Sequence, residues 1–192
     1  MSGERSAEAG GGDVVPRVAS TQRIFRGHIL GLRVDTLEMP DGATFEREIV
    51  EYGQAVVLVP VDADGRLLLV RQYRHAAGAW LLELPAGGID DRDASPEAAA
   101  MRELREETGF RGTLRRLGGM YLAPGYSTEY QHIFAATDLA EDALEADEDE
   151  DLRLERLTLD ETLAAVDREQ IRDAKSIAAL LMFLRSREGE AP

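Results

Sequence analysis

The most constraining stretch of this sequence is residues 80–110, where a strand, a glycine-rich loop, a capped helix and a glycine stop follow one another. Trp80 to Leu84 reads as a short strand, and Pro85-Ala86-Gly87-Gly88 behind it reads as a loop. Ser95-Pro96-Glu97 opens a helix: Ser95 suits the cap, Pro96 the first helical position, and Glu97 the positive end of the helix dipole. Alanines and Leu104 carry the helix to Thr108, and Gly109 ends it. Glu106 and Glu107 follow Glu103 by three and four residues, which sets the carboxylates on one face. Like charges so placed repel by roughly a few tenths of a kcal/mol per pair, so an isolated helix gains nothing from them. A hard divalent cation removes the conflict, because Mg²⁺ takes carboxylate oxygens and keeps positions open for phosphate and water. The bland alternative is a surface helix in which Arg102 and Arg105 pair with the glutamates. The strand, loop and caps that enclose the charges favour a site-bearing unit.

Around this segment the chain has the size of one compact domain with a small extra sheet. Apolar alternation from Arg17 to Glu38 reads as strands, Pro40-Asp41-Gly42 as a turn, and Thr44 to Val50 as a returning strand. Ala55 to Val61 and Leu67 to Tyr73 form a hairpin whose first arm is almost continuously apolar, as expected of a strand buried on both faces. Strands are expected near Leu114 to Tyr121, Tyr130 to Ala136 and Leu152 to Leu157. Helices are expected over Leu159 to Arg168, with Asp160 as the start signal, and over Ala174 to Arg187. This order predicts an α/β (α+β) chain, an α/β/α sandwich around a mixed sheet with a small N-terminal antiparallel sheet. The expected boundaries are a disordered tail over 1–15, N-terminal strands over 16–53, a main domain over 54–187 and a tail over 188–192.

Composition narrows the function. A net charge of −15 argues against nucleic acid as a partner, though not against a small phosphorylated substrate bridged by cations. No apolar run is long enough for a membrane span, and the Gly- and Ala-rich start has no apolar core to act as a secretory signal. The absence of cysteine excludes disulfides and thiolate metal sites, and a cytoplasmic location is the default expectation. Eight of the eleven residues from Glu141 to Asp151 are acidic, which reads as a solvated or mobile loop, since the glycine and spacing of a calcium loop are missing.

The segment GGIDDRDASPEAAAMRELREETGF, Gly87 to Phe110, resembles the Nudix box. Arg102, Glu103, Leu104, Glu106, Glu107, Gly109 and Phe110 match that pattern in place. One departure stands upstream: counting back from Arg102 puts Ala94 at the first glutamate of the box, whereas aligning Pro85-Ala86-Gly87 with the family's Pro-Ala-Gly puts Asp93 there. The second alignment keeps a carboxylate at the cost of one loop residue, which loops absorb cheaply. The resemblance implies metal-dependent cleavage of a nucleoside diphosphate derivative. It assigns Mg²⁺, or Mn²⁺, to Glu103, Glu107, Glu106 and the backbone carbonyl of Ala86, and gives Arg102 the role of holding the glutamates.

Features outside the box resemble the ADP-ribose pyrophosphatase group. Val70-Arg71-Gln72-Tyr73-Arg74 ahead of Glu83-Leu84-Pro85 implies a diphosphate contact at Arg74, against the plain reading of a solvated strand end. Pro124 stands about fifteen residues past the box, and Ala123 to Glu129 resembles the group's catalytic loop, with Glu129 acting on the attacking water. The N-terminal strands and Asp173-Ala174-Lys175-Ser176 resemble dimeric members, which implies a homodimer with Arg47, Glu51 and Tyr52 near the adenine or its ribose. The expected reaction is hydrolysis of ADP-ribose to AMP and ribose 5-phosphate. Another nucleoside diphosphate sugar such as GDP-mannose, or an ADP-ribose sensor without turnover, are the alternatives.

Overall fold

The computed structural model describes residues 14–144 and 152–188. Most of the expected N-terminal tail, the acidic run from residue 145 onward and the last four residues therefore lie outside the described residues. The chain divides into two compact units.

The first unit holds residues 14–52 together with 125–127. Strands β1 (Arg17–Arg26), β2 (Leu30–Glu38) and β3 (Thr44–Tyr52) form an antiparallel sheet in the order β1-β2-β3. The expected turn joins β2 to β3: Gly42 adopts φ 85° and donates its N–H to the Met39 carbonyl at 2.9 Å. Only glycine takes that left-handed backbone without strain. At the other end, the Val50 N–H reaches the Tyr126 carbonyl at 2.7 Å, which joins residues 125–127 to β3.

The second unit holds the remaining elements. They are β4 (Gln54–Pro60), β5 (Leu67–Arg74), β6 (Ala79–Glu83), β7 (Ala86–Gly88), α1 (Pro96–Thr108), β8 (Phe110–Tyr121), β9 (Tyr130–Glu141), β10 (Arg153–Leu157), α2 (Leu159–Asp167) and α3 (Ala174–Glu188). One sheet runs β7-β4-β9-β8, with β4 and β9 parallel and the other pairs antiparallel. A second, antiparallel sheet runs β10-β5-β6.

Strand alternation makes the layers. Val56 and Leu58 pack with Ala99, Ala100 and Leu104 of α1, while Val57 and Val59 pack with Ala179, Leu180 and Phe183 of α3. Phe134 and Ala136 of β9 join the first set, and Ile133 and Ala135 the second. The continuous apolar run of β4 is thus explained by a helix on each face, as a sandwich of this kind requires. Each buried Val, Leu, Ile or Phe among them contributes about 1.5–3 kcal/mol relative to exposure.

Four local expectations change. The hairpin expected between Ala55 to Val61 and Leu67 to Tyr73 does not form as a paired ladder: β4 pairs with β7 and β9, β5 pairs with β6 and β10, and an isolated bridge, Val61↔Leu67, joins the two segments. Ala86 to Gly88, expected as loop, forms the short strand β7, because its backbone finds Val57, Val56 and Ala55 as antiparallel partners. Strands β8 and β9 run longer than expected, paired with each other from Phe110↔Glu141 to Tyr121↔Tyr130. Helix α2 is capped by Thr158 rather than started at Asp160: Thr158 and Glu161 form a reciprocal capping box, which satisfies two helix-end donors together.

Candidate active site

Helix α1 begins and ends as its sequence dictates. Ser95 Oγ accepts the Ala98 N–H at 3.2 Å, and Gly109 takes φ 79° while its N–H reaches the Arg105 carbonyl. The face carrying Leu104 is buried in the core, while Glu103 and Glu107 lie buried beside β7.

Arg102 organises this end of the site. Its guanidinium donates to Asp93 at 3.2 and 2.9 Å, to Glu103 Oε1 at 2.7 Å, to Glu106 Oε2 at 2.8 Å and to the Gly88 carbonyl at 2.8 Å. The planar fork of Arg suits several fixed acceptors at once, which a lysine ammonium does not. The Asp93 hydrogen bonds come first among the causes that raise the Arg102 pKa further, and the same bonds hold the Asp93 carboxyl below its ordinary value. Asp93, the residue that the shifted alignment selects, thus sets its carboxylate on Arg102. Arg105, next along the helix, points elsewhere and binds the Asp142 carbonyl and carboxylate.

Two backbone contacts bring the helix against the Gly-rich strand. The Ala86 N–H donates to Glu107 Oε2 at 3.0 Å. A Cβ on Gly87 would lie 2.1 Å from the Glu103 carboxyl carbon, so only glycine leaves room for that carboxylate. Glu103, Glu106 and Glu107 are hard oxygen donors on one helix, gathered by Arg102 and by β7. Such a donor set fits Mg²⁺ or Mn²⁺, which take carboxylate oxygens and leave positions for water and phosphate. Among the described residues no group of three or more His, Asp or Glu side chains is gathered closely enough to hold a metal ion by itself.

Other expected site residues take separate positions. Arg74, at the end of β5, grips Glu83 of β6 through two hydrogen bonds of 2.9 and 2.7 Å. Glu83 is only 1% exposed and is also paired with Lys175 at the start of α3. Burial pushes the Glu83 carboxyl up, but Arg74 and Lys175 more than offset this and keep it below its ordinary value. Glu129, just ahead of β9, accepts Gln131 Nε2 at 2.8 Å. In the first unit, Glu51 binds Arg33 at 2.7 Å, and Arg47 lies over the Phe45 ring. Arg47 and Glu51 share one face of β3, whereas Tyr52 falls on the other. Gln131 and the Glu83–Lys175 pair escape sequence reasoning because their partners are fixed by strand register and by helix docking, which a single sequence does not display.

The sandwich with an Arg-buttressed carboxylate helix against a Gly-rich strand defines a hydrolase class built for phosphate chemistry. The NUDIX domain model matches residues 51–180. A relative from Bacillus subtilis (strain 168), an ADP-ribose pyrophosphatase, is 33% identical over 175 residues, covering 90% of this chain and 94% of the relative. A methanol dehydrogenase activator from Bacillus methanolicus is 35% identical over 167 residues, covering 85% of this chain and 90% of the relative. Among solved structures, that of an ADP compounds hydrolase superposes with a TM-score of 0.83 at 28% identity, covering 92% of this chain and 96% of the other. The chain belongs to the Nudix hydrolase family. No helix among the described residues is long and apolar enough to cross a membrane.

Proposed function

We propose that this Nudix pyrophosphohydrolase acts on ADP-ribose, releasing AMP and ribose 5-phosphate. The observation that carries the reading is the row Glu103, Glu106 and Glu107, held by Arg102 against Ala86 and Gly87. The three glutamates with the Ala86 carbonyl would hold Mg²⁺ or Mn²⁺. When bound, the cation supplies charge neutralisation for the diphosphate and makes water more acidic.

The chain's own groups supply the rest. Arg102 keeps the glutamates oriented by charge-assisted hydrogen bonds. Arg74 offers a guanidinium to the diphosphate oxygens. Glu129 takes the proton of the attacking water, with Glu106 in that role if the loop stays passive. Arg47, Glu51 and Tyr52 contact adenine or its ribose, where the Tyr52 ring can stack on a purine. The N-terminal sheet leaves Val18, Ile24, Phe25 and Ile29 at least half exposed, which suits burial in a homodimer. The lack of cysteine accords with a reducing cytoplasmic setting.

The deciding experiment is AMP release from ADP-ribose with Mg²⁺, run beside GDP-mannose and beside Glu107→Gln. Metal-dependent AMP formation that collapses in the variant supports the proposal. Preferential turnover of GDP-mannose would move the substrate to another nucleoside diphosphate sugar. Tight ADP-ribose binding without turnover would mean a sensor.

A further inference from the structure

We propose that Lys175, in the first turn of α3, is a positioning residue that shares Glu83 and so leaves the Arg74 guanidinium less fully neutralised and aimed for a diphosphate. This rests on the reading of Arg74 given above.

Strand register shows how Arg74 is held. On the β5–β6 ladder Arg74 pairs with Ala79, while Glu83 pairs with Val70. The Arg74 side chain therefore runs back along the sheet to reach Glu83, four positions from its own register partner. An unanchored arginine at a strand end samples many rotamers, and the two-pronged contact to a buried carboxylate removes that freedom. The Arg74 side chain keeps 39% of its surface exposed, so the contact to Glu83 does not seal it from solvent.

Anchoring alone would work against binding an anion. One buried carboxylate facing one guanidinium cancels the charge that a diphosphate needs. Lys175 changes this balance: its ammonium contacts Glu83 Oε2 and stands 2.9 Å from Asp173 Oδ2, with the lysine side chain only 12% exposed. Two cations, Arg74 and Lys175, then face two carboxylates, Glu83 and Asp173. Asp173 caps α3, its Oδ2 accepting the Ser176 N–H at 3.0 Å, where the positive end of the helix dipole offsets part of its charge. Glu83 is thus compensated by Lys175 as well as by Arg74, so Arg74 is not the sole counter-charge of that buried carboxylate.

The same helix turn also fixes the backbone. Ser176, fully buried, accepts the Leu84 N–H on its hydroxyl at 2.8 Å. Leu84 follows Glu83 and leads through Pro85 into Ala86, so the start of α3 sets the strand that enters β7. Asp173, Lys175 and Ser176 thus hold a carboxylate, a cation and a peptide group in a fixed relation.

The test compares steady-state kinetics on ADP-ribose with Mg²⁺ for wild type, Lys175→Met, Lys175→Arg, Arg74→Ala and the double variant Arg74→Ala/Lys175→Met, each with its Tm. The expected result for Lys175→Met is a KM raised about tenfold with kcat within about threefold of wild type, as for lost ground-state binding. Lys175→Arg should recover most of the loss, and the double variant should be no worse than Arg74→Ala alone, because both changes act through one guanidinium. A folded Lys175→Met with unchanged KM, while Arg74→Ala is impaired, overturns the inference. An Arg74→Ala variant with unchanged KM overturns instead the reading of Arg74 as a diphosphate contact. If Lys175→Met does not fold, Lys175→Gln, which keeps a donor to Glu83 and removes only the charge, carries the same expectation and the same refutation.

Discussion

Gly87 and Glu103 occupy space that only one of them can fill: a Cβ on Gly87 would stand 2.1 Å from Glu103 Cδ and 2.3 Å from its Oε2. The atoms in conflict are the far end of a flexible side chain, so the carboxylate would swing aside rather than the backbone break. Gly87→Ala should therefore leave Tm within about 4 °C of wild type. Turnover should nevertheless fall about 100-fold, the scale expected when a reacting arrangement is displaced by an ångström. Measuring melting and metal-dependent AMP release on one preparation separates the two effects. An active Gly87→Ala enzyme would remove Glu103 from the carboxylate row.

Asp93 answers Arg102 with both carboxylate oxygens and is itself only 5% exposed. Asp93→Ala should cost about 1.5–3 kcal/mol of stability, the range for hydrogen bonds to a charged partner. The folded pKa of Asp93 lies below its ordinary value, chiefly through the Arg102 hydrogen bonds. Its contribution is then fully present above the unfolded carboxylate value, near about pH 4, and is lost as pH falls through the depressed folded value. Urea unfolding across that acid range should show a shallower loss in Asp93→Asn than in wild type. An identical acid slope in both would show that Asp93 does not carry the linkage.

His132 on β9 sets its Nε2 2.7 Å from Gln54 Oε1, and Tyr130 lies edge-on at 5.0 Å. Burial first, then the charge of Arg116, lowers its pKa below the ordinary histidine value, with Glu97 opposing. The unfolded chain therefore binds the proton more readily. Stability from this group is present above the unfolded value and declines as pH falls from there through the lower folded one, a window that opens just below the ordinary histidine value. His132→Gln should flatten the stability profile in that window. A wild-type profile already flat there would contradict the assignment.

What the sequence makes legible is local. Ser95, Gly109 and the Glu103-Glu106-Glu107 row can be read because capping and helical spacing act within a few residues, and the run Ala55 to Val61 can be read because a strand covered on both faces has no polar side. Strand β7 is not legible: Ala86, Gly87 and Gly88 carry almost no side chain, and they become a strand only through Val57, Val56 and Ala55. Thr158 hides as a cap because Asp160 offers an equally good local signal, and only the reciprocal bond to Glu161 decides between them. That Asp93 rather than Ala94 meets Arg102 is likewise seen in the contact and not in the counting. Lys175 meets Glu83 across 92 positions, and nothing local to either residue announces the pair.

Gln131 gives the last prediction. Its side chain is only 3% exposed on β9, a strand paired on both sides, and its Nε2 donates to Glu129 Oε1 at 2.8 Å. Its own Oε1 is buried and unbonded. An unmet buried acceptor costs about 1–3 kcal/mol, so the amide is a poor choice for stability alone. Replacing it by leucine removes the unmet oxygen together with the bond to Glu129. Gln131→Leu should therefore unfold within about 1 kcal/mol of wild type, since the two changes offset. If Glu129 serves as the base, losing its anchor on a rigid strand should lower kcat about tenfold while KM holds. In Glu129→Gln the base is already gone, so the double variant should match Glu129→Gln alone. Additive losses would place Gln131 on a separate route, and an unchanged kcat in Gln131→Leu would mean that the loop carboxylate needs no such anchor.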